Sequence, residues 1–327
     1  MARVISVEAE RFPIAGAFTI SRGSKTEAEV IVCTVSEGDH SGRGECVPYK
    51  RYGESLDGVR DAIEAMREQI AGGISRAVLL DAMPAGAARN AIDCALWDLE
   101  AKISGKPVAA EICTAAPRAL ETAFTVSLGE PEAMAAQARA NAARPLLKVK
   151  IGGDNDVARI RAVRDAAPNS RIILDANEGW TNENIVANLA FASEHRIALI
   201  EQPLPAGHDE ILRHIAHPVP ICADESVHEA DNLAALVGLY DAVNIKLDKS
   251  GGLTAALVLR NRARDLGFGV MIGCMVGTSL AMAPAVLLAQ DADFVDLDGP
   301  LLLAKDREPG LVYRGSLVSP PNSALWG

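Results

Sequence analysis

Short apolar runs that each end on a charged residue repeat through the second half of the chain. The first is Leu146-Leu147-Lys148-Val149-Lys150, and later runs end at Asp175, Glu201, Asp224 and Lys246. From Lys150 the steps are 25, 26, 23 and 22 residues, which is the length of one strand plus one returning helix. The carboxyl ends of parallel strands meet at one mouth of a (β/α)8 barrel. The pattern therefore predicts ionisable side chains gathered at such a mouth.

The wider alternation of apolar strands and alanine-rich helices extends this prediction to the whole region after residue 119. Helical stretches lie between most of the strands, as at 130–143, 154–166 and 253–266. Eight strand candidates are the number that a closed barrel requires. They cover residues 121–127, 146–151, 171–175, 197–201, 219–223, 242–247, 268–273 and 293–297.

The first third of the chain has a different order, with three predicted strands before two predicted helices. Strands are predicted at 3–10, 28–36 and 42–47, and helices at 54–71 and 84–104. Consecutive antiparallel strands followed by helices are typical of an α+β unit. The second helix carries a stripe of small and apolar side chains, so we expect it to pack tightly against the barrel.

Together these patterns predict an α/β fold, a (β/α)8 barrel with an N-terminal α+β capping domain that the C-terminal segment rejoins. The capping domain is predicted at 1–118, the barrel at 119–302 and the returning segment at 303–327. Within that segment, 310–317 is predicted as a short strand.

Composition excludes several classes of partner. The chain is 49% hydrophobic with a net charge of −11 and no basic cluster, which argues against nucleic acid and anionic membranes as partners. No signal-like start and no run of eighteen apolar residues occurs, so a cytoplasmic protein is expected. The six cysteines are scattered without a Cys-x-x-Cys pair, and we expect them to be reduced packing residues.

Lys148 and Lys150 lie on one face of their strand because side chains alternate along a strand. In isolation, two such lysines would be typical of a solvated surface strand. The acids on the following strands favour a functional site instead. Three converging carboxylates, at Asp175, Glu201 and Asp224, repel one another unless a cation lies between them, and oxygen ligands of this kind suit Mg²⁺. Each acid alone would more often cap the following helix.

Lys150 and Lys246 flank these acids from the strand before and the strand after. A substrate carbon between them could lose a proton to one lysine and gain one from the other. A lysine that acts as a base needs a lowered pKa, and we expect the metal ion and Lys148 to lower it.

Other catalytic motifs are weak. None of the six histidines forms a His-x-His pair, and His214-x-x-His217 has no further ligand nearby in sequence, which argues against a zinc hydrolase. Gly152-Gly153 and Gly251-Gly252 follow strands but lack the spacing of a phosphate-binding loop. No Gly-x-Ser-x-Gly marks a nucleophilic serine.

Five motifs spread over the barrel resemble those of the enolase superfamily, in its muconate lactonising subgroup, and most closely those of the dipeptide epimerases that act on L-Ala-D/L-Glu. The likeness spans almost the whole chain. The motifs are Lys148-Val149-Lys150, Asp175-Ala176-Asn177-Glu178, Glu201-Gln202-Pro203-Leu204-Pro205, Ala223-Asp224-Glu225-Ser226 and Asn244-Ile245-Lys246-Leu247-Asp248-Lys249.

This resemblance implies a role for each candidate residue. Lys150 and Lys246 would move the α-proton, and Lys148 would lie against the substrate. The acids Asp175, Glu201 and Asp224 would bind Mg²⁺, in keeping with the lysine-and-magnesium chemistry known for this superfamily.

Two further positions carry the choice of substrate. Asp296 and Asp298, in Asp296-Leu297-Asp298, resemble the pair that holds the substrate's α-ammonium group, although Asp298-Gly299 could also form a simple turn. Arg22 resembles the loop arginine that binds the glutamate side-chain carboxylate, the alternative being a solvated charge.

The expected function is a Mg²⁺-dependent dipeptide epimerase that transfers a proton at the α-carbon of the second residue, as in the recycling of peptidoglycan peptides. Cycloisomerase or o-succinylbenzoate synthase activity is the enzymatic alternative, since those enzymes keep both lysines but need no ammonium site. An inactive metal-binding barrel is the alternative without catalysis. The expected partner is a small dipeptide, and a homo-oligomer is possible.

Overall fold

The computed structural model of the protein describes residues 2–327 and begins with a three-stranded antiparallel sheet. Its strands are β1 (Val4–Ile20), β2 (Gly23–Glu37) and β3 (His40–Cys46), in the order β1-β2-β3. The first two are much longer than predicted, and their pairing continues beyond an irregularity between Pro13 and Phe18. The extension carries the β1–β2 turn, with Arg22, away from the sheet core.

Five helices follow the sheet. They are α1 (Leu56–Glu64), α2 (Arg67–Ala71), α3 (Arg76–Ala82), α4 (Ala87–Ser104) and α5 (Val108–Ile112). The single helix predicted at 54–71 is wrong, because the chain turns at Ala65 and Met66 and starts α2 separately. A short 3₁₀ helix at Lys50–Tyr52 precedes α1.

The helix α4 lies between the sheet and the barrel rather than on the barrel alone. Glycines in β3 permit its close approach to the sheet, since a Cβ on Gly42 would lie 2.2 Å from the carbonyl oxygen of Ala95. On its other side, Trp97 Nε1 donates to Thr254 Oγ1 at 2.9 Å. The predicted packing against the barrel is therefore correct for only one face of this helix.

Eight parallel strands then form the predicted barrel in continuous order, and the fold class is confirmed. The strand predicted at 121–127 is divided: β4 (Leu120–Glu121) lies outside the barrel, and the first barrel strand is β5 (Phe124–Val126). The other seven are β6 (Leu146–Lys150), β7 (Arg171–Asp175), β8 (Leu199–Glu201), β9 (Ile221–Ala223), β10 (Ala242–Ile245), β11 (Gly269–Gly273) and β12 (Phe294–Asp296).

The connecting helices are unequal in length. Those between β8 and β10 are short. A 3₁₀ helix at Glu210–His214 follows β8, and a single helical turn, α9 (Leu233–Leu236), follows β9. The helices are α6 (Pro131–Ala140), α7 (Asp156–Ala166), α8 (Ile185–Glu194), α9 (Leu233–Leu236), α10 (Leu247–Ser250), α11 (Leu253–Asp265), α12 (Ser279–Leu288) and α13 (Gly299–Leu302).

The barrel closes between β12 and β5 through backbone and side-chain hydrogen bonds. Ala123 N donates to Val295 O at 2.8 Å. Further toward the mouth, Thr125 N donates to Asp298 Oδ2 at 2.6 Å, so a carboxylate replaces a strand-to-strand bond there. Asp298 consequently has a structural partner that the sequence did not predict.

Two layers of side chains fill the barrel interior. The lower layer is an apolar cluster with one residue from each strand: Ala123, Leu146, Ile173, Leu199, Cys222, Ala242, Met271 and Phe294. Two residues further along every strand, and hence on the same face, lies a second layer at the mouth. This mouth layer consists of Thr125, Lys148, Asp175, Glu201, Asp224, Asn244, Gly273 and Asp296.

The C-terminal segment makes contact with both parts of the protein. The strand predicted at 310–317 is instead a hairpin, β13 (Tyr313–Arg314) and β14 (Leu317–Val318), and β14 pairs with β4 rather than with the capping sheet. Beyond it, Trp326 Nε1 donates to Cys94 O in α4 at 3.0 Å. The domain bounds at 118/119 and 302/303 remain a prediction.

Two observations concern the expected environment of the protein. Across residues 2–327, the helices are too short or too polar to cross a membrane. All six cysteines are free thiols, and four of them are buried, as expected for packing residues.

Candidate active site

A cavity of about 390 Å³ lies between the mouth of the barrel and the capping domain. The β1–β2 hairpin and the segment around Tyr49–Tyr52 form its outer wall, and the mouth layer forms its floor. The volume is suitable for a small-molecule substrate. Seven of the nine predicted site residues line the cavity, Arg22 among them in the outer wall. The other two, Asp175 and Glu201, are paired with the lining lysines Lys150 and Lys148.

Lys148 and Lys150 are both buried, so the alternative of a solvated surface strand is wrong. Lys148 Nζ lies 2.7 Å from Glu201 Oε2, 2.8 Å from Asp296 Oδ2 and 3.1 Å from Asp175 Oδ2. Lys150 Nζ lies 2.5 Å from Asp175 Oδ2. Lys148 is thus surrounded by acids, whereas Lys150 is the member of the pair nearer the ring of Phe18 in the hairpin.

Lys246 reaches the same cavity from the strand on the far side of the acids. Its Nζ lies 2.6 Å from Asp224 Oδ2 and 3.8 Å from Glu201 Oε1. The other oxygen of Asp224 lies 2.5 Å from Nζ of Lys249, a buried lysine to which the sequence argument gave no role. Two ammonium groups therefore share the carboxylate of Asp224.

The electrostatics of the acids are unequal. Burial raises the pKa of Glu201, and the neighbouring Asp175 adds to the effect, so that it reaches about 8. Burial acts in the same direction on Asp175, but Lys150 and Lys148 outweigh it and hold the pKa well below its usual range. For Lys246, Asp224 and Glu201 outweigh burial and raise the pKa well above its ordinary value. The predicted lowering of a lysine pKa is therefore not found for Lys246 in this arrangement of charges.

Asp175, Glu201 and Asp224 offer carboxylate oxygens that could bind a divalent cation. Among residues 2–327 no three His, Cys, Asp or Glu side chains converge closely enough to hold a metal ion as they stand, because lysine ammonium groups lie between the acids. The donors themselves are carboxylate oxygens on three neighbouring strands, the type that Mg²⁺ prefers. The donor set therefore fits a divalent cation, which would displace the lysine ammonium groups from these oxygens.

Asp296 and Asp298 both line the cavity and are buried. Asp296 Oδ2 accepts from Lys148, but its Oδ1 is buried without a hydrogen-bond partner. A buried carboxylate oxygen without a donor is a costly arrangement that a cationic group in the cavity would relieve. Burial and the neighbouring Asp296 raise the pKa of Asp298 to about 7.

Arg22, at the tip of the β1–β2 hairpin, is neither free nor fully solvated. Its Nη2 lies 2.8 Å from Glu225 Oε1, and its Nη1 lies 3.1 Å from Glu178 Oε2. Arg51 holds the same Glu178 with two hydrogen bonds at 2.8 and 2.9 Å. The interpretation of Arg22 as a solvated loop charge is therefore wrong, and its guanidinium joins the capping domain to the loops after β7 and β9.

The two glycine pairs have structural roles. The amides of Gly152 and Gly153 donate to the carboxylate of Asp156 at 3.0 to 3.2 Å, so the protein fills this turn with its own carboxylate. At the second pair, Gly252 leaves room for Asp93, which a Cβ would approach to 2.5 Å.

Residues 2–112 match the family described as "Mandelate racemase / muconate lactonizing enzyme, N-terminal domain", and residues 132–311 match the one described as "Enolase C-terminal domain-like". The chain belongs to the mandelate racemase and muconate lactonizing enzyme family. The resemblance inferred from the five motifs is thereby confirmed.

Two curated relatives in this family differ in their named substrates. The L-Ala-D/L-Glu epimerase of Escherichia coli (strain K12) is 45% identical over 313 residues, which is 95% of this chain and 98% of the relative. The N-acetyl-D-glutamate racemase of a Pseudoalteromonas species is 46% identical over 300 residues, which is 91% and 95%. Sequence identity alone does not separate the two.

Solved structures of relatives contain ligands. An enolase family member from Agrobacterium tumefaciens, with homology to dipeptide epimerases and with bound sodium and L-Ala-L-Glu, is 59% identical; its TM-score is 0.98, covering 99% of this chain and 100% of that one. The dipeptide epimerase of Cytophaga hutchinsonii, complexed with Mg and D-Ala-L-Val, is 28% identical; its TM-score is 0.91, covering 98% and 94%.

Sequence reasoning missed the residues that hold this family's acidic side chains in place. Asn244 Nδ2 donates to Glu201 Oε1 at 2.8 Å, and Gly273 on the next strand leaves the space that the asparagine needs. Gln202 follows Glu201 in a left-handed conformation with φ of +34°. Their only signal was their place in the motifs, since an uncharged amide next to a charged residue predicts no role by itself.

Proposed function

We propose that the protein is a Mg²⁺-dependent dipeptide epimerase that inverts the α-carbon of the second residue of L-Ala-L/D-Glu and related dipeptides. The observation that carries the proposal is the placement of Lys150 and Lys246 on opposite sides of Asp175, Glu201 and Asp224 in one cavity. A racemising reaction needs a proton donor and a proton acceptor on opposite faces of the same carbon, and two lysines supply this pair without any other group.

In the proposed reaction one lysine accepts the α-proton as a neutral amine, and the electron pair of the broken C–H bond passes into the substrate carboxylate as an enediolate. The second lysine, as an ammonium, then donates a proton to the opposite face. The lysines exchange protonation states, so no net proton or electron is gained. Asp175, Glu201 and Asp224 would hold Mg²⁺, which when bound would stabilise the negative charge on the substrate's carboxylate oxygens.

The two ends of the dipeptide have separate candidate sites. The unpartnered Oδ1 of Asp296, together with Asp298, suits the α-ammonium group of the first residue. Arg22 suits an acidic side chain on the second residue, because a guanidinium binds a carboxylate with two hydrogen bonds. Glu178 and Glu225 already bind Arg22, so a substrate carboxylate would share or replace these contacts.

N-acetylglutamate racemase activity is the second candidate, favoured by the 46% identity to such an enzyme. Both reactions invert a glutamate α-carbon, and the same two lysines could catalyse either. An acetyl group carries no positive charge, however, and would leave Asp296 Oδ1 without a donor. The buried acids at the end of β12 therefore favour the dipeptide.

Three further parts of the proposal do not depend on the geometry of the site. They are a cytoplasmic location, a role in the recycling of peptidoglycan peptides, and possible assembly into a homo-oligomer. Cycloisomerase and o-succinylbenzoate synthase activities, and a barrel without catalysis, are the alternatives if no epimerisation is found.

Proton exchange in D₂O tests the proposal directly. Purified protein with Mg²⁺ and L-Ala-L-Glu should show loss of the glutamate α-proton signal and formation of L-Ala-D-Glu by NMR, and EDTA should stop both. N-acetyl-D-glutamate assayed in parallel should give a much smaller kcat/KM. A preference for the acetylated substrate would reverse the two candidates, and the absence of exchange with either compound and with a small dipeptide library would contradict the proposal.

A further inference from the structure

Gln202 is a fully buried residue next to the acid of β8, and its backbone is in a conformation that residues other than glycine rarely adopt. Four non-glycine residues in the described chain have a positive φ, and three of them, Asn177, Glu178 and Gln202, lie within three residues after the acids of β7 and β8. Such conformations persist only where surrounding contacts fix them. The contacts of Gln202 therefore indicate which neighbouring residues this backbone conformation positions.

The side-chain oxygen of Gln202 accepts two backbone hydrogen bonds from the segment after β9. Asp224 N donates to Oε1 at 2.8 Å and Ser226 N at 3.1 Å. The backbone of Gln202 adds a link on each side, since its own N–H donates to Cys222 O at 2.8 Å and its carbonyl accepts from Glu178 N at 2.9 Å. One residue thus joins the carboxyl ends of β7, β8 and β9, the three strands that carry Asp175, Glu201 and Asp224.

The other end of the Gln202 amide is equally engaged. Its Nε2 donates to Leu204 O at 2.9 Å, to Ser226 Oγ at 2.9 Å and to the hydroxyl of Tyr240 at 2.8 Å. Tyr240 in turn donates to Asp209 Oδ2 at 2.6 Å. These bonds fix which way the amide points, so that its oxygen faces Asp224 N.

We infer that Gln202 is a positioning residue for the metal ion of the proposed function, and that its amide oxygen sets the spacing of Asp224 from Glu201. The inference rests on the proposed Mg²⁺ site, but it concerns a residue that does not itself bind the ion. Mg²⁺ demands near-ideal octahedral geometry, so a displaced ligand backbone lowers its affinity. Residues that orient ligands from behind typically change metal affinity by about 10- to 100-fold when they are replaced.

The closing experiment measures Mg²⁺ binding by titration calorimetry in the absence of substrate, together with thermal unfolding of the metal-free protein. Gln202→Leu removes the accepting oxygen and should raise the Kd for Mg²⁺ by about tenfold or more. At saturating Mg²⁺ its KM for the dipeptide should change by less than about threefold, and excess Mg²⁺ should restore most of kcat, since the substrate contacts are intact.

Two further variants separate positioning from simple support of the fold. Gln202→Glu keeps the accepting oxygen and should bind Mg²⁺ with a Kd within about threefold of the unmodified protein, although it loses the donor to Leu204 O. Tyr240→Phe removes a partner of the Gln202 amide nitrogen without touching Asp224 N. It should lower the melting temperature at least as much as Gln202→Leu while leaving Mg²⁺ affinity nearly unchanged.

Several results would overturn the inference: unchanged Mg²⁺ affinity in Gln202→Leu, an equal loss of affinity in Tyr240→Phe, or an equal loss in Gln202→Glu. If Gln202→Leu does not fold, Gln202→Met, which also lacks the accepting oxygen but keeps the length of the side chain, takes its place in the same comparison. Failure of the proposed function has a different signature, because the unmodified protein would then show no exchange of the dipeptide α-proton, whatever its Mg²⁺ affinity.

Discussion

The two layers inside the barrel are built on the same eight strands and differ in almost every physical property. In the lower layer, Leu146, Ile173 and Leu199 pack as ordinary core residues. One step along the same face, the mouth layer places Lys148, Asp175 and Glu201 in mutual contact. The separation between a dry apolar cluster and a network of buried charges is only two residues, or about 7 Å along a strand.

This difference shows how the fold tolerates a site that lowers its stability. Buried charges lose hydration, and even well-paired ones contribute little net stability. The lower layer and the outer helices contribute the hydrophobic burial that offsets this cost. Substitutions in the lower layer should therefore lower the free energy of unfolding, whereas substitutions at the mouth should lower activity. The largest expected effect belongs to the lysines and the smallest to a glycine.

Replacing the lysines of the mouth should abolish activity while keeping the fold. Lys150→Ala and Lys246→Ala should each lower kcat for epimerisation by about 10²- to 10⁴-fold, because each removes one of the two proton-transfer groups. Each variant should still exchange the α-proton of one epimer in D₂O, and the two variants should retain opposite epimers. Lys305→Ala, an exposed lysine away from the cavity, serves as control. Full activity in either cavity variant would contradict the two-lysine reaction.

The lower layer should give the reverse result. Ile173→Ala creates a cavity beneath the mouth and should lower the free energy of unfolding by about 2–5 kcal/mol, as measured by urea denaturation. Below its melting temperature, kcat/KM should stay within about threefold of the original, since the charged side chains are unchanged. Val186→Ala on the exposed face of α8 should change stability by less than about 0.5 kcal/mol. A large loss of activity in folded Ile173→Ala would mean that the layers are not independent.

Asp248 is a buried acid that has no lysine partner, so its titration shows how burial changes the pKa of such a group. It accepts hydrogen bonds from Val47 N at 3.0 Å and Asn90 Nδ2 at 2.8 Å, and burial raises its pKa from 3.8 to about 7. Between about pH 4 and 7 the folded state therefore binds more protons than the unfolded state, so this residue makes the protein less stable as pH rises, by up to about 1.4 kcal/mol per pH unit.

Asp248→Asn should remove that dependence. The stability of the variant relative to the original should increase by about 3 kcal/mol from pH 4.5 to pH 7.5 in paired urea titrations, because every other titrating group is common to both proteins. The residues that also act on Asp248 are Glu54 and Glu45, which raise its pKa further. A stability difference that does not vary with pH would show that Asp248 is ionised throughout.

The smallest expected effect comes from the one glycine of the mouth layer. A Cβ on Gly273 would lie 2.5 Å from Asn244 Oδ1, so Gly273→Ala should push Asn244 away from Glu201. We expect kcat/KM to fall by about tenfold with a well-folded protein. Gly269→Ala at the lower end of the same strand has as its nearest neighbour the Cβ of Ala242 at 3.2 Å and should leave kcat/KM unchanged. Equal activity losses in the two variants would argue against a role for the asparagine.

The barrel was predictable because its two layers leave a strong mark on the sequence. A short apolar run that ends on a charged residue, repeated at intervals of 22 to 26 residues, indicates both the strand and the end that faces the cavity. The site residues follow from the same pattern, and their catalytic and binding roles stay predictions until the variants are assayed. The free cysteines and the family membership were predicted correctly as well.

The missed features depend on contacts between distant segments. Strand β4 separates from β5 because β14, about 200 residues later, pairs with it. The hairpin extension of β1 beyond Pro13 has no regular alternation, and only its pairing with β2 makes it a strand. The paired lysines and acids were predicted as neighbours of a metal ion, but a pattern of single residues does not reveal that Asp224 is shared by Lys246 and Lys249.

The β1–β2 hairpin has a consequence for how such a protein can diverge. Its tip carries Arg22 into the cavity, yet the turn residues are exposed and contribute no side chain to either main core. Mutations in this turn should change the free energy of unfolding little, because the barrel strands keep every buried contact. On the proposed function, substitutions at the hairpin would therefore change the accepted side chain while the barrel keeps both lysines in place.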